Sequence, residues 1–137
     1  MQIQNEKQII LNFAEAISAQ DIGGMCSLMT DDHTFIDSQG NQTTGKDSMR
    51  TGWIGYFQMF PDYTIEITDM FLEGNTVGAF GFAEGTFQGL SDRKENHWRL
   101  PAAWKAIIKD EKIKQWQVYA DAKIPYDIIV QNNNKPA

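Results

Sequence analysis

The hydrophobic pattern of the chain changes its period at Pro61, and this change limits the possible folds more than any other feature. Before Pro61, apolar residues recur three or four positions apart, which is typical of amphipathic helices. After it, apolar and polar residues alternate, which is typical of strands with one buried face. With 137 residues, the chain is long enough for one domain with its own core. The pattern therefore predicts an α+β domain in which helices precede a sheet.

Turn residues and the repeating apolar positions give the bounds of the predicted elements. Helices are expected over about 5–19, 25–29 and 44–60, the last one with Thr44 as its cap and Asp47 three residues on. Strands are expected over 34–37, 63–73, 77–87, 97–109 and 113–122. Three helices cannot cover both faces of a four-stranded meander. We therefore expect a cone-shaped, curved antiparallel sheet packed on three N-terminal helices around a cavity.

Domain organisation follows from the same pattern. The chain has no internal repeat and no linker, so a single domain is expected over 1–130. The last residues, 131–137, are polar and are expected to form a flexible tail.

Charge and composition argue against several classes of partner and cofactor. The formal charge is −6 with no run of Lys or Arg, so neither nucleic acid nor a membrane surface is an expected partner. No segment has the ~20 apolar residues of a membrane helix, and the start does not resemble a signal peptide, so a cytoplasmic location is expected. The one cysteine, Cys26, is expected to be a core residue. No phosphate loop is present, and His33 beside two aspartates lacks the spacing of a metal site, so no cofactor or metal is expected.

Asp37 is the first candidate for chemistry, because it follows the short strand and precedes a turn at Gly40. Aromatic residues near it (Phe13, Phe35 and Trp53) would raise the pKa of its carboxyl group and suit it to act as a general base. In the alternative interpretation, Asp37 only caps backbone amides of the turn.

Asp121, at the end of the last strand, is the second candidate acid or base. Alternation places it on the face opposite Trp116 and Val118, so it would enter a cavity on their side only through a bulge or at the strand end. Otherwise it caps the strand end or pairs with Lys123. The tryptophans on the late strands also suggest a homodimer through the sheet face that the helices leave uncovered.

Several motifs in a fixed order carry a resemblance to a known superfamily. They are Leu28-x-x-Asp31-Asp32-x-Thr34-x-x-Asp37-x-x-Gly40, Gly85-Thr86-Phe87-x-Gly89 and Lys112-Ile113-x-x-Trp116-x-Val118-Tyr119-x-Asp121. Together they resemble SnoaL-type polyketide cyclases and ketosteroid isomerases of the nuclear transport factor 2-like superfamily. The resemblance implies the conical fold, a base at Asp37, an acid/base group at Asp121 and a pocket aromatic at Trp53.

The chain departs from the ketosteroid isomerase pattern at both oxyanion donors. The tyrosine position falls on Phe13 and the protonated-aspartate position falls on Ala103. Loss of one such donor typically costs about 10²–10³ in rate, so steroid isomerisation by that mechanism is not expected. His97 and Arg99 on the fifth strand are expected to supply donors instead.

The favoured hypothesis is a cofactor-free isomerase or cyclase that transfers a proton on a small hydrophobic carbonyl or polyketide-like compound. The expected catalytic residues are Asp37 and Asp121, and the expected ligand-binding residues are Phe13, Trp53, Phe57, His97, Arg99, Ala103, Trp104 and Trp116. A non-catalytic binding or dimerisation module is the alternative. Epoxide hydrolysis, with two acids converging on Arg99, is a third hypothesis.

Overall fold

The computed structural model describes residues 5–90 and 93–134. The helices are α1 (Glu6–Ala19), α2 (Ile22–Ser27), α3 (Lys46–Met59) and α4 (Lys123–Asn133). The strands are β1 (Met29–Ile36), β2 (Gln42–Thr44), β3 (Thr64–Glu73), β4 (Thr76–Thr86), β5 (His97–Lys109) and β6 (Lys112–Ala120). Two short 3₁₀ turns, Phe87–Gly89 and Lys94–Asn96, join β4 to β5. The prediction of an α+β fold is confirmed.

The six strands form one sheet in the order β2-β1-β6-β5-β4-β3. Strands β3 to β6 make the predicted antiparallel meander. One junction of the sheet departs from antiparallel pairing, because β1 pairs with β6 in parallel. The buried ring of His33 strengthens this junction, since its Nδ1 donates to the carbonyl oxygen of Ile113 at 2.7 Å. Strand β1 is consequently eight residues long rather than a short segment.

Helix α1 forms where its periodicity predicts it. The Asn5 side chain accepts a hydrogen bond from the Gln8 N–H, and Gln20 ends the helix in the left-handed conformation. One face of α1 is buried and supplies Ile9, Ile10, Phe13, Ala14 and Ile17 to the core.

Helix α3 begins two residues later than predicted. Its cap is Gly45 at φ 106°, and no side chain caps it. Thr44 is not available for this role, because it belongs to β2 and pairs with Thr34 of β1.

The alternation of β5 decides which side chains face the helices. Its buried residues are Trp98, Leu100, Ala102, Trp104, Ala106 and Ile108. The intervening residues, His97 and Arg99 among them, lie on the outer face of the sheet. The tryptophans therefore belong to the core and not to a free face that could form a dimer.

Helix α4 was not predicted. Among its residues only Ile128 is fully buried, and the Asn132 side chain donates to Asn96 at 2.8 Å. Of the predicted tail 131–137, residues 131–133 continue this helix, and 135–137 lie outside the described residues. No helix among 5–90 and 93–134 is long and apolar enough to cross a membrane.

Candidate ligand-binding site

A cavity of about 430 Å³ lies between α3 and the inner face of β5 and β6. Helix α3 and its C-terminal junction supply Met49, Gly52, Trp53, Tyr56, Met59, Phe60 and Tyr63. The sheet supplies Phe35, Thr43, Trp104, Trp116 and Val118, and α1 supplies Ile17. The rim consists of the loop residues Asp37, Ser38 and Gln39 and, opposite them, Ala122, Pro125, Tyr126 and Ile129. The size suits a small organic molecule.

Aromatic rings form most of the cavity wall. Trp53 lies with its ring centroid 6.1 Å from that of Phe35 and 6.0 Å from that of Tyr56, edge to face in both cases. On the sheet side, Trp104 and Trp116 are stacked at 6.0 Å with an angle of 22° between their planes. Flat apolar walls of this kind favour a flat apolar ligand.

Asp37 is both a turn residue and a cavity residue. Its Oδ1 accepts hydrogen bonds from the N–H groups of Gln39 and Asn41, both at 2.9 Å, and its Oδ2 accepts one from the Asn41 side chain at 3.1 Å. Partial burial raises the pKa of the Asp37 carboxyl, but these hydrogen bonds lower it more, so that the pKa lies below its ordinary value. The expected rise in pKa is therefore wrong. Asp37 is ionised at neutral pH, and the three bonds leave acceptor capacity on Oδ2.

Asp121 lies beside the main cavity and not in its wall. It is exposed and lines a second, more open hollow that shares Ser38, Gln39, Ala122 and Tyr126 with the cavity rim. Its Oδ1 accepts a hydrogen bond from the N–H of Lys123, the first residue of α4, at 3.0 Å.

Three predicted ligand-binding residues lie on the wrong face of the sheet. The His97 Nδ1 contacts the Thr86 hydroxyl at 2.9 Å and its Nε2 contacts Glu84 at 3.1 Å. Arg99 pairs with Glu66 at 3.1 Å and lies over the Phe82 ring. Ala103 is on the same outer face, paired with Phe80 of β4. Neighbouring residues of β5 point to opposite faces of the sheet. Because Trp104 faces the cavity, His97, Arg99 and Ala103 face away from it, so His97 and Arg99 do not supply cavity donors.

Two other predicted residues, Phe13 and Phe57, lie one layer behind the cavity wall. Phe13 is fully buried against Trp116, with ring centroids 4.9 Å apart. Phe57 packs behind Trp53 at 5.4 Å. Of the predicted set, Asp37, Trp53, Trp104 and Trp116 line the cavity.

The sequence reasoning missed the two tyrosines of the cavity wall. Tyr56 lies three residues after Trp53 and therefore on the same face of α3, which is the signal that could have identified it. Burial raises the pKa of Tyr56, and the contact with the Tyr63 hydroxyl opposes this rise without cancelling it. Burial, followed by the neighbouring Tyr56, raises the pKa of Tyr63 well above its ordinary value. Both phenols consequently stay protonated at physiological pH.

The site lacks the usual arrangement of a metal centre. Within residues 5–90 and 93–134, no group of three or more His, Cys, Asp or Glu side chains could hold a metal ion.

A curved sheet wrapped over helices with an aromatic cavity between them defines a protein of the nuclear transport factor 2-like, ketosteroid isomerase-like fold. The profile of the SnoaL-like domain matches residues 10–116, and the chain therefore belongs to the SnoaL-like domain family. The predicted resemblance is confirmed at this level. Comparison with curated proteins gives no match.

Solved structures share this fold at low sequence identity. A putative SnoaL-like polyketide cyclase from Shewanella putrefaciens has a TM-score of 0.77 at 15 % identity, covering 95 % of this chain and 88 % of that one. TerC, crystallised with polyporic acid, has a TM-score of 0.77 at 16 % identity, covering 91 % and 98 %. A ketosteroid isomerase-like protein from Catenulispora acidiphila, in complex with trimethylamine, has a TM-score of 0.72 at 20 % identity, covering 81 % and 83 %.

Proposed function

We propose that this protein binds a small, flat, hydrophobic carbonyl compound and transfers a proton on it, as an isomerase or cyclase would, with Asp37 as the proton acceptor. One observation carries the proposal: an ionised carboxylate stands on the rim of an aromatic cavity that, among the described residues, has no other charged side chain in its wall. The small molecules in the TerC and Catenulispora structures support the use of this fold as a pocket.

Asp37 would take a proton from a carbon next to the carbonyl group and return it to another position of the same molecule. Because its carboxylate is already ionised at neutral pH, no prior deprotonation is needed. Its lowered pKa also makes it a weak base, so the substrate must be acidified by hydrogen bonds to its oxygen. Asp121 takes second place because it lies outside the main cavity.

Proton exchange on a model ketone tests this proposal. The protein is incubated with 2-tetralone, a flat enolisable ketone, in heavy water, and the loss of the α-proton signals is followed by NMR. We expect faster exchange with the native protein, a decrease of about 10²–10⁴ in the catalysed rate for Asp37→Asn, and a smaller decrease for Asp121→Asn. Asp69→Asn, on the exposed outer edge of β3, is the matched control for a lost carboxylate. Full activity in the Asp37→Asn protein would exclude Asp37 as the base.

A non-catalytic binding protein is the second candidate, because the hydrogen bonds that hold Asp37 in its turn are those expected of a purely structural aspartate. This alternative predicts that hydrophobic ligands quench the fluorescence of the cavity tryptophans equally in the native and Asp37→Asn proteins, with no proton exchange in either. Nothing in the geometry favours the epoxide hydrolase hypothesis, since Arg99 is paired with Glu66 on the far face of the sheet.

We also propose that a second copy of the chain covers the outer face of the sheet. Register places Phe80, Ala103 and Tyr119 in one row across β4, β5 and β6, and Phe71 packs beside Phe80. Phe71 is 66 % exposed, Tyr119 52 % and Phe80 46 %, which is unusual for aromatic residues grouped on one face. A symmetric pair would bury this row against itself.

Sedimentation velocity at micromolar concentration tests this homodimer. We expect a dimer for the native protein and a monomer when Phe71→Ser and Phe80→Ser are combined. Tyr126→Ser, which removes an exposed aromatic from α4, should leave the dimer intact. A monomeric native protein would contradict the proposal.

A further inference from the structure

The cavity contains hydrogen-bond donors at positions other than those that the family resemblance implies. Phe13 and Ala103, to which the resemblance assigns the donor positions of ketosteroid isomerases, are a core residue and an outer-face residue here. The hydroxyl donors in the wall come instead from α3 and the turn after it, where Tyr56 and Tyr63 lie beside Trp53. Their ring centroids are 4.9 Å apart for Tyr56 and Tyr63 and 6.0 Å apart for Trp53 and Tyr56.

Hydrogen counting shows that this group has unused donor capacity. Each phenol has one hydroxyl hydrogen, and a contact between the hydroxyl groups of Tyr56 and Tyr63 uses at most one of these two hydrogens. At least one hydroxyl hydrogen is then left for another acceptor. The indole N–H of Trp53 also has no acceptor among the described residues, but it is enclosed by the protein and is not a donor towards the cavity. Donors in a protein interior are normally paired, so the remaining hydroxyl hydrogen in the cavity wall indicates that a ligand supplies the acceptor.

The charge of the site limits what that acceptor can be. No cationic side chain lines the described cavity, and Asp37 stands at its rim as an anion. A ligand with a carboxylate or phosphate group would therefore meet repulsion and no counter-charge. A neutral carbonyl oxygen accepts from O–H and N–H donors without this cost.

We infer that Tyr56, supported by Tyr63, forms an oxygen-recognition site that selects neutral aryl ketones or quinone-like carbonyls and holds their oxygen against α3. The inference rests on the proposed function, because it specifies the substrate class and orientation in the same cavity. Tyr56 and Asp37 line the same cavity, so proton transfer requires that a ligand whose oxygen is held at Tyr56 places the carbons next to its carbonyl at the rim where Asp37 lies. The donors would then supply the acidification that a weak base requires.

A pair of probes of equal shape tests the inference by binding alone. 2-Acetylnaphthalene carries a ketone, and 2-isopropylnaphthalene replaces it with an apolar group of similar size. Equilibrium dialysis gives a dissociation constant for each probe with the native, Tyr56→Phe, Tyr63→Phe and Tyr119→Phe proteins. Tyr119 is the matched control, since it loses the same hydroxyl from the outer face of the sheet.

Tyr56→Phe should weaken ketone binding by about 2- to 12-fold, the effect of one neutral hydrogen bond, and should leave hydrocarbon binding within about twofold. Tyr63→Phe should have a smaller effect on the ketone, and Tyr119→Phe should have none. The infrared carbonyl stretch of the bound ketone should lie at lower frequency in the native protein than in Tyr56→Phe, which a merely structural role of Tyr56 would not produce.

The outcomes separate this inference from the proposal on which it rests. Equal effects of Tyr56→Phe on both probes, or no effect on either, would overturn the oxygen site while leaving the cavity as a hydrophobic pocket. Absence of binding by both probes to the native protein would overturn the pocket itself. Loss of ketone preference in Tyr56→Phe together with normal proton exchange would show that the site binds the oxygen without assisting the chemistry, and would overturn its role in acidification.

Discussion

Acidification should destabilise this protein through His33, a histidine that is buried in the core. The side chain is fully buried, its Nδ1 donates to the Ile113 carbonyl oxygen, and its Nε2 has no partner within the described residues. Burial lowers the pKa of His33, while the bond to Ile113 and the charge of Asp32 oppose this shift without cancelling it. The folded protein therefore keeps His33 neutral at a pH where the unfolded chain has already bound a proton.

The magnitude follows from proton linkage. Since the folded pKa lies below the unfolded value of about 6.5, stability is fully present above pH ~6.5 and is lost as the pH falls towards the folded pKa. The free energy of unfolding should decrease by up to about 1.4 kcal/mol per pH unit in this window. Asp37 does not interfere, because the pKa of its carboxyl is lowered below the ordinary value of 3.8.

Urea unfolding followed by tryptophan fluorescence at pH 7.5, 6.5 and 5.5 measures this effect. His33→Asn keeps an amide donor for the Ile113 carbonyl but cannot be protonated, so it should be less stable at pH 7.5 and nearly independent of pH below that. Both proteins should also carry His97→Gln, which removes the other histidine of the chain. Parallel pH profiles for the two proteins would refute the assignment of the acid sensitivity to His33.

Two further predictions concern backbone approach and the fourth helix. Gly81→Ala should prevent stable folding or cost several kcal/mol, because a Cβ there would overlap the carbonyl oxygen of Glu66. Gly55→Ala in α3 has open space around it and should stabilise the folded protein by roughly 0.5–1 kcal/mol. Thermal unfolding followed by circular dichroism compares the two variants. Asn132→Ala removes the bond to Asn96 and should speed amide hydrogen exchange in α4 while leaving exchange in β5 unchanged, and protection in α4 equal to that of the native protein would contradict this.

The sequence predicted helices and strands well where a single amphipathic pattern determined them. The periodicity of α1 and the bounds of β5 agree with the structure, because a single amphipathic face decides each of them. The strands predicted over 97–109 and 113–122 leave a short connection, and the structure shows why it is tight: Asp110 and Glu111 both have positive φ, 53° and 62°, as a two-residue hairpin turn requires.

The predictions from the sequence failed where they depended on which face of a strand a side chain occupies. Placing Arg99, Ala103 and Trp104 in one cavity conflicts with the alternation of a regular strand, and the structure resolves the conflict in favour of Trp104. The parallel pairing of β1 with β6 brings together residues about 80 positions apart, as His33 and Ile113 illustrate, and no local pattern encodes such a contact.

Helix α4 was missed although its sequence carried a helical signal. Pro125 in the first turn and Ile128 one turn later are typical of a helix start with a buried position. The polar residues that follow hid this signal. The helix matters for function because its residues complete the cavity rim opposite Asp37.

Two regions of the site would share the proton transfer: Asp37 at the rim as the base, and the donors of the cavity wall that stabilise the substrate oxygen. The hydrogen bonds that hold the carboxylate in place also lower its basicity, so a well-positioned Asp37 cannot at the same time be a strong base. Proton transfer in this cavity then depends on how strongly the substrate oxygen is stabilised, and Tyr56 and Tyr63 bring hydroxyl donors to the cavity wall. Substitutions at Tyr56 and Tyr63 should therefore affect the choice of substrate more than substitutions around the Asp37 turn, whose main effect should be on the position of the base.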